Sequence, residues 1–274
     1  MKKSLIALAL VGAFAVPAFA EEAAPAAEAP ALTGNLTLAS SYRFRGIDQT
    51  FGKPALQGGF DYSHSSGFYV GNWNSNVSGD TAGYPNGNLE MDFYGGYKQA
   101  FGDFGIDVGG LYYYYPGSDK SRLAANPKTG AVNGSGVVHN GELYVAGSWK
   151  FLSVKYSYAV TDYFSAPDTK GSGYLEANAN YDLGDGWGVN GHVGHLKLKN
   201  YSVGTDASKG DYTDWKLGVT KDISGYVFGL AYVDTNAKGS CDAANPGFYG
   251  ITNASGKCRD LGRATAVLSV TKTF

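Results

Sequence analysis

The feature that most constrains this chain is a series of segments in which apolar and polar side chains alternate with a period of two. Within residues 88–98, for example, Leu89 and Met91 alternate with Glu90 and Asp92. Strict alternation over such a length predicts β-strands with one apolar and one polar face. Most of these segments are about ten residues long, which is the length that a tilted strand needs to cross a bilayer. The predicted strands span residues 33–45, 54–63, 68–77, 88–98, 105–115, 140–150, 154–164, 173–182, 187–199, 211–221, 225–235 and 264–274.

The connections between the predicted strands alternate between long and short. Long polar connections rich in glycine and asparagine follow the odd-numbered strands, and the longest span residues 116–139 and 236–263. Tight turns, such as those at 102–103 and 184–186, follow the even-numbered strands. A bacterial outer-membrane barrel sorts its connections in this way, with short periplasmic turns and long outer loops. We therefore predict that residues 33–274 form an all-β, transmembrane, antiparallel up-and-down β-barrel of about twelve strands, within a range of about ten to fourteen.

Aromatic side chains cluster at the ends of the predicted strands, in one set beside the long connections and a second set beside the short turns. Two such sets predict aromatic girdles at the two membrane interfaces, and an ordinary soluble β-core is the alternative. The set beside the long connections comprises Tyr42, Phe44, Tyr112, Tyr113, Tyr114, Tyr115, Tyr163 and Phe164. The set beside the short turns comprises Phe101, Phe104, Trp149, Phe151, Trp187 and Phe274.

The amino-terminal residues 1–20 have the three parts of a Sec signal peptide. A basic start precedes an apolar stretch over 5–16, and small residues before the Ala20–Glu21 bond form a cleavage site. A membrane anchor is the alternative, but the apolar stretch is too short for it. Residues 21–32 contain alanine, proline and glutamate without aromatics, which predicts a disordered leader. We therefore expect export through the Sec pathway to the outer membrane of a Gram-negative bacterium.

Composition excludes two classes of protein. The chain has 22 basic and 24 acidic residues and a formal net charge of −2, so it lacks the basic footprint of a nucleic-acid-binding protein. No long apolar run follows residue 20, which excludes helical membrane spans. The mean hydropathy of −0.21 is low, but only alternate residues of a membrane barrel face lipid. A low average hydropathy is therefore compatible with a membrane barrel.

The two cysteines, Cys241 and Cys258, lie in the last long connection. After export they would meet an oxidising compartment, in which disulfides form and persist. A bond between them would close a short loop worth about 3 kcal/mol in the chain-entropy account. We expect this disulfide, with two free thiols as the alternative. A metal site is not expected, because no histidine lies nearby in the sequence.

The four histidines give no catalytic pattern. They are His64, His139, His192 and His195, and the last two would point to opposite faces of one strand. No serine motif or pair of carboxylates accompanies any of them, so each is interpreted as a polar lumen or loop residue. We therefore predict that the protein is not an enzyme and needs no cofactor. A barrel hydrolase with a histidine-centred site is kept as an alternative.

Charged side chains occupy the polar face of several predicted strands, so we expect them to point into the barrel. In the first predicted strand, Tyr42 and Phe44 would face lipid, and the arginines that alternate with them would face inward. Such charges either line a channel or pair in a network that closes the interior. A twelve-stranded barrel lies between filled eight-stranded and open sixteen-stranded barrels, which favours the channel. The candidate lumen-lining residues are Arg43, Arg45, Glu90, Asp92, Asp107, Glu142, Lys155 and Glu176.

The last predicted strand ends the chain on an aromatic residue. Its sequence, ATAVLSVTKTF, places Ala266, Leu268 and Val270 on the same face as the terminal Phe274. We interpret this pattern as the signal that the barrel-assembly machinery reads. The barrel-assembly machinery and outer-membrane lipid are therefore expected partners.

Three stretches of the sequence resemble a known family. They are SYRFRGIDQTFGKPALQGGFDYSHSSGFYVGNWNSNV at residues 41–77, LEMDFYGGYK at 89–98 and GLYYYYPG at 110–117. In these stretches, and over essentially all of 34–274, the chain is similar to the TorF family of porins. The resemblance implies an exported outer-membrane barrel and no particular solute. The connection that carries the two cysteines is not part of the family pattern.

These observations predict a porin-like channel for the passive diffusion of small polar solutes or ions. A structural or adhesive barrel that acts through its outer loops is the first alternative, because residues 116–139 and 236–263 are long. A hydrolase is the second alternative. Assembly into a homo-oligomer is possible, and nucleic acid is not an expected partner.

Overall fold

The structure is a computed structural model, and it describes most of the chain beyond the amino terminus. The predicted signal peptide, its cleavage site between Ala20 and Glu21, and most of the predicted leader lie outside the described residues. The described residues are 31–81, 83–201, 210–241, 247–253 and 255–274.

Twelve strands close into one antiparallel barrel, in which each barrel strand pairs with the next barrel strand along the chain. The first strand, Leu32–Ala39, closes on the last, Thr265–Thr273. The other four strands pair as two short hairpins, Arg43–Phe44 with Ile47–Asp48 and Gly250–Thr252 with Cys258–Asp260. The predicted barrel is confirmed. The strands are β1 (Leu32–Ala39), β2 (Arg43–Phe44), β3 (Ile47–Asp48), β4 (Ala55–Ser63), β5 (Phe68–Asn76), β6 (Leu89–Phe101), β7 (Phe104–Tyr115), β8 (Val138–Trp149), β9 (Leu152–Ala159), β10 (Gly173–Gly184), β11 (Trp187–Lys197), β12 (Tyr212–Ile223), β13 (Tyr226–Thr235), β14 (Gly250–Thr252), β15 (Cys258–Asp260) and β16 (Thr265–Thr273).

Helix contributes little to the described residues. Two single turns of 3-10 helix, Lys120–Arg122 and Tyr163–Ser165, lie in long connections. No helix in the described ranges is long and apolar enough to cross a membrane.

The outer face of the barrel is apolar because the strands alternate as the sequence predicts. Large apolar side chains such as Leu36, Val145, Leu217 and Leu268 remain exposed on this face, with Leu217 69% exposed. Large exposed apolar surfaces mark sites that contact another protein or a membrane. In membrane barrels the outer apolar face contacts lipid. The inner face carries the alternate, mostly polar residues.

Long and short connections alternate around the barrel. The short turns include Asp185–Gly186 and Ser224–Gly225, in which both residues have positive φ. That backbone matches the right-handed twist of a two-residue hairpin, and it explains the aspartate–glycine and serine–glycine pairs at these positions. All long connections therefore lie at one end of the barrel and all short turns lie at the other.

The first strand is shorter than expected, because β1 ends at Ala39 rather than at residue 45. Ala39 pairs directly with Ala55, the first residue of β4. The residues between them, 40–54, leave the barrel wall, and the buried part, 41–51, folds into the barrel interior. We call residues 40–54 the inward segment.

Candidate functional site

The inward segment occupies the outer half of the barrel interior. Its short hairpin pairs Arg43 with Asp48 and Phe44 with Ile47. The turn of the hairpin needs the left-handed backbone of Arg45 (φ 48°) and Gly46 (φ 79°). A Cβ atom on Gly46 would lie 2.4 Å from the side chain of Thr235, so only glycine fits this approach.

The expectation that Tyr42 and Phe44 face lipid is wrong. Tyr42 is 1% exposed and Phe44 is 7% exposed, because the chain has already turned inward before them. Tyr113 and Tyr115, which were expected in the outer aromatic girdle, are buried in the same cluster. These rings pack within the interior, and the alternation of the YRFR motif does not reflect a wall strand.

Apolar side chains hold the inward segment against the surrounding barrel wall and loops. The Phe44 ring packs edge-on against the rings of Tyr113 and Phe164, with centroids 5.6 Å and 5.5 Å away. On the other side, Ile47 and Phe51 belong to a second buried cluster that is built from residues of β10 to β12 and the outer loops. The inward segment is therefore packed between two clusters and narrows the outer half of the interior.

Arg45 joins the inward segment to the barrel wall through a buried ion pair. Its Nη1 and Nη2 atoms donate to Oε1 and Oε2 of Glu142 on β8, at 2.9 Å and 2.8 Å. The guanidinium also donates to the Tyr163 hydroxyl and lies 4.2 Å from the centroid of the Tyr174 ring. Such a bidentate pair fixes the direction of the guanidinium as well as its position.

Arg43 lines the cavity and also binds the last long connection and the start of β16. Its Nη1 donates to the carbonyl oxygen of Leu261 at 3.0 Å, and its Nη2 donates to Thr265 Oγ1 at 2.7 Å. Asp48, its hairpin neighbour, accepts from Arg259 Nε at 2.6 Å. Both arginines predicted to face inward are thus buried and engaged, and they connect different parts of the outer end.

Glu90 and Asp92 lie on β6 and are buried beside the inward segment. The Tyr42 hydroxyl donates to Glu90 Oε1 at 3.0 Å. Glu90 Oε2 and Asp92 Oδ1 are buried and have no hydrogen-bond partner among the described residues. Glu90 and Asp92 therefore do not pair with the arginines of the inward segment, because Arg45 pairs with Glu142 and a tyrosine hydroxyl contacts Glu90.

A further tyrosine fixes the end of the inward segment. The Tyr84 hydroxyl donates to the backbone oxygen and the side-chain oxygen of Gln49, at 2.9 Å and 2.7 Å. Burial raises the pKa of the Tyr84 phenol well above its usual range, so the hydroxyl stays protonated and remains a donor.

A polar network covers the inner face of β9 to β12, below the inward segment. Lys155 Nζ lies 2.9 Å from Glu176 Oε1, so these two sequence-predicted residues form an ion pair. Glu176 Oε2 accepts from the Asn178 amide at 3.2 Å. The Tyr174 hydroxyl donates to Asp214 Oδ1 at 2.8 Å.

His192 lies within this network and points inward, whereas His195 is exposed. Its Nε2 lies 2.8 Å from Asp214 Oδ2, and its Nδ1 lies 2.7 Å from Asn178 Oδ1. The side chains that contact His192 in the described part of the chain are carboxylate, amide and phenol groups, and no serine or cysteine is among them. These contacts hold the imidazole within the polar network.

Inward tyrosines lie flat along the wall because glycines on neighbouring strands leave room for them. A Cβ atom on Gly71 would meet the Tyr94 ring at 2.4 Å, and one on Gly109 would meet the Tyr144 hydroxyl at 2.5 Å. A tyrosine in this position covers an otherwise bare strand backbone. Asp107, a predicted lumen residue, accepts from the similarly placed Tyr69 hydroxyl at 2.6 Å.

A cavity remains between the inward segment and the polar inner face of the barrel. Its polar lining comes mainly from β10, β11, β12 and β16. Representative lining residues are Asn178, Asn190, Lys216, Thr220 and Ser269. The prediction of inward charges did not include Asp214 or Lys216, although their alternation with Trp215 and Leu217 carried the same signal.

The last long connection carries the two cysteines. Cys241 and Cys258 form a disulfide bond, which ties the chain at Cys241 to the first residue of β15 in the β14–β15 hairpin. No group of three or more histidine, cysteine, aspartate or glutamate residues in the described ranges is arranged to hold a metal ion.

Taken together, the barrel and the inward segment define a closed twelve-stranded barrel of the kind that outer-membrane porins form. The chain belongs to the Gcw_chp family, described as bacterial protein of unknown function, whose family model matches residues 22–274. No curated protein matches the sequence.

Solved structures with a similar fold include porins. A NanC porin superposes with a TM-score of 0.50 at 8% identity, covering 89% of this chain and 98% of that chain. A KdgM porin, solved in complex with disordered oligogalacturonate, superposes with a TM-score of 0.47 at 8% identity, with the same coverage of both chains. The outer membrane protein OprD from Pseudomonas aeruginosa gives a TM-score of 0.38 at 13% identity, covering 90% of this chain and 66% of that chain. At these identities the likeness concerns the fold alone.

Proposed function

We propose that this protein is an outer-membrane channel for the passive diffusion of small polar solutes or ions. The observation that carries the proposal is a closed barrel with an apolar outer face and an internal cavity whose lining includes charged, amide and hydroxyl side chains. A barrel built only as a membrane anchor would gain stability from a filled interior. A cavity lined by amides, hydroxyls and charges instead suits water and polar solutes.

In this proposal the inward segment forms the constriction. It reduces the cross-section at the outer end and carries two arginines into it, and charges in a narrow space select solutes by charge and shape. The remaining candidates line the interior from the wall strands. The proposed lumen-lining residues are Arg43, Arg45, Glu90, Asp92, Asp107, Glu142, Lys155 and Glu176.

The location and assembly of the protein are part of the same proposal. The resemblance to the TorF porins supports an exported barrel that needs the Sec pathway and the barrel-assembly machinery. Phe274 pairs with Gly34 through two backbone hydrogen bonds, at 2.7 Å and 2.9 Å, where the first and last strands meet. A terminal aromatic residue at this seam is well placed to serve as the assembly signal. We further propose that the protein does not catalyse a reaction, and that assembly of several barrels into a homo-oligomer is compatible with the apolar outer face.

A liposome swelling assay tests this function. Liposomes that contain the folded protein are diluted into isotonic solutions of neutral polar solutes of increasing size, and the rate of light-scattering change is measured. We expect the smallest solutes to enter fastest and entry to stop below the size that open sixteen-stranded porins admit. Liposomes with heat-denatured protein are the control. No entry of any solute through folded protein would contradict the proposal.

A structural or adhesive barrel is the second candidate, and one observation favours it. The outer end is extensively packed, with the inward segment, the disulfide and the β14–β15 hairpin held together by Arg43 and Arg259. Such a rigid outer surface suits contact with another molecule. Failure of all solutes to enter, together with an intact barrel, would favour this candidate over the channel.

A further inference from the structure

Two polar side chains on one wall of the cavity make no hydrogen bond or ion pair with another described residue. Lys216 lies on the inner face of β12, and Asn190 lies on β11 opposite Gly218, between Lys216 and Thr220. Across the described ranges, no ion pair or hydrogen bond engages the Lys216 ammonium or the Asn190 amide. Thr220 Oγ1 also has no hydrogen-bond partner among the described residues, but its burial closes it off from the cavity. Polar side chains inside a protein normally have partners, so Lys216 and Asn190 are the groups that a solute in the cavity can engage.

The lysine is left without a partner because the nearest carboxylates are already occupied. Both oxygens of Glu176 and both oxygens of Asp214 are held by neighbouring donors of the polar network. The other buried carboxylates near the inward segment, Glu90 and Asp92, lie on β6, in the wall across the barrel from β12. Lys216 therefore makes no direct ion pair among the described residues, although the Glu176 and Asp214 carboxylates attract its charge from a greater distance.

The chemistry of Lys216 and Asn190 suits an anion rather than a cation. A lysine ammonium has three donors and no acceptor, and an asparagine amide can add further donors. Hydrogen bonds between such donors and an ionised acceptor are stronger than those between neutral groups. The neighbouring amide and hydroxyl groups of Asn178 and Ser269, which line the same cavity, can bind the hydroxyl groups of a ligand.

We propose that Lys216 and Asn190 form a solute-binding subsite for the carboxylate group of small hydroxylated acids. Lys216 binds the carboxylate through its charge, and the amide of Asn190 orients it along β12. The inference rests on the proposed channel function and names the class of solute that the channel favours.

Gluconate is a suitable probe, and sorbitol is its matched neutral analogue. Purified protein is inserted into planar bilayers, and the potassium chloride current is recorded with increasing gluconate or sorbitol. We expect gluconate to reduce the current in a saturable way and sorbitol to have little effect. The Lys216→Gln variant should need about tenfold or more gluconate for the same block, since a hydrogen bond to a charged group is lost. Lys216→Arg should keep most of the affinity.

The control variant is Lys98→Gln, which removes another inward lysine. Lys98 lies on β6, donates to Ser63 Oγ at 3.4 Å and contacts the Tyr69 ring, away from Lys216 on β12. Gluconate affinity should not change in this variant. Equal gluconate affinity in wild type and Lys216→Gln, or equal block by sorbitol and gluconate, would overturn the subsite.

Titration calorimetry separates the subsite from the channel. Gluconate is titrated into the folded wild-type barrel in detergent and into Lys216→Gln, and sorbitol is titrated as the control. If wild type binds gluconate but conducts no ions, the channel function fails and the subsite stands. If wild type conducts and binds no gluconate, the subsite fails and the channel stands.

Discussion

Arg45 is the side chain on which the position of the inward segment depends most. Its guanidinium is buried, makes a bidentate pair with Glu142 and packs over the Tyr174 ring. A buried ion pair contributes modestly to stability, but removal of one partner leaves an uncompensated buried charge. The pair therefore acts mainly to specify where the inward segment lies.

Replacing Arg45 with alanine should release the inward segment. The Glu142 carboxylate would remain buried without its partner, at a cost of about 3–5 kcal/mol, and the segment can relieve that cost by leaving the interior. We expect a folded barrel with a larger single-channel conductance than wild type. Planar-bilayer recording measures the conductance, and the shift between boiled and unboiled protein on a detergent gel reports folding.

The matched control for Arg45→Ala is Arg122→Ala. Arg122 also pairs with a carboxylate, Asp119, but its side chain is 63% exposed, and exposed pairs contribute little. This variant should conduct as wild type does. An Arg45→Ala protein with unchanged conductance would show that the ion pair does not hold the constriction.

The glycines beneath the inward tyrosines give a second prediction at this scale. A Cβ atom on Gly194 would meet the Tyr174 hydroxyl at 1.9 Å, whereas one on Gly147 would meet nothing within 4 Å. Gly194→Ala should displace Tyr174 from Asp214 and Arg45, and overpacking of this kind costs about 1–3 kcal/mol. Gly147→Ala should be close to neutral. Urea unfolding in detergent or lipid compares the two variants, and equal loss of stability in both would contradict the account.

At the scale of secondary-structure elements, the barrel strands could be predicted because each must satisfy one simple rule. A wall strand exposes every second side chain to lipid, so its sequence alternates whatever its neighbours are. The β6 residues Leu89 and Glu90 illustrate this, since the leucine is exposed and the glutamate is buried. Predicted and observed strands accordingly differ by only a few residues at most ends.

The inward segment could not be predicted because its alternation has a different cause. Tyr42 and Phe44 alternate with arginines, but all four side chains are buried between the inward hairpin, the wall and the outer loops. One signal pointed away from a wall strand, namely the Arg45–Gly46 pair, which suits a tight turn. The partners of Arg43 and Arg45 follow from the tertiary fold alone.

The disulfide gives a prediction for the last long connection. Cys241 and Cys258 have a sequence separation of 17, and in the chain-entropy account a disulfide over this distance stabilises the ordered loop by about 3 kcal/mol. The barrel wall does not include them. Replacing both cysteines with serine should leave the gel shift of the folded barrel unchanged and increase proteolytic cleavage within 236–263. Mass spectrometry of a timed protease digest measures the cleavage. Wild-type protease resistance in the double variant would contradict this role.

In the whole molecule, the closed barrel wall and the proposed constriction are separable parts. Closure of β1 on β16 leaves no free strand edge in the barrel, so the wall does not depend on the inward segment. Ala39 and Ala55 are paired across β1 and β4, which means that a two-residue turn can join these strands directly. A variant in which Asn-Gly replaces residues 40–54 should therefore fold as a barrel without its constriction.

The proposed channel and its constriction can be tested together by recording single-channel conductance in planar bilayers. The two proteins to compare are wild type and the variant with Asn-Gly in place of residues 40–54. We expect small discrete conductance steps for wild type and clearly larger steps for the variant, because the inward segment narrows the outer half of the interior. Both proteins must show the gel shift of a folded barrel. Folded wild-type protein that produces no steps would contradict the channel, and equal steps in the two proteins would contradict the constriction.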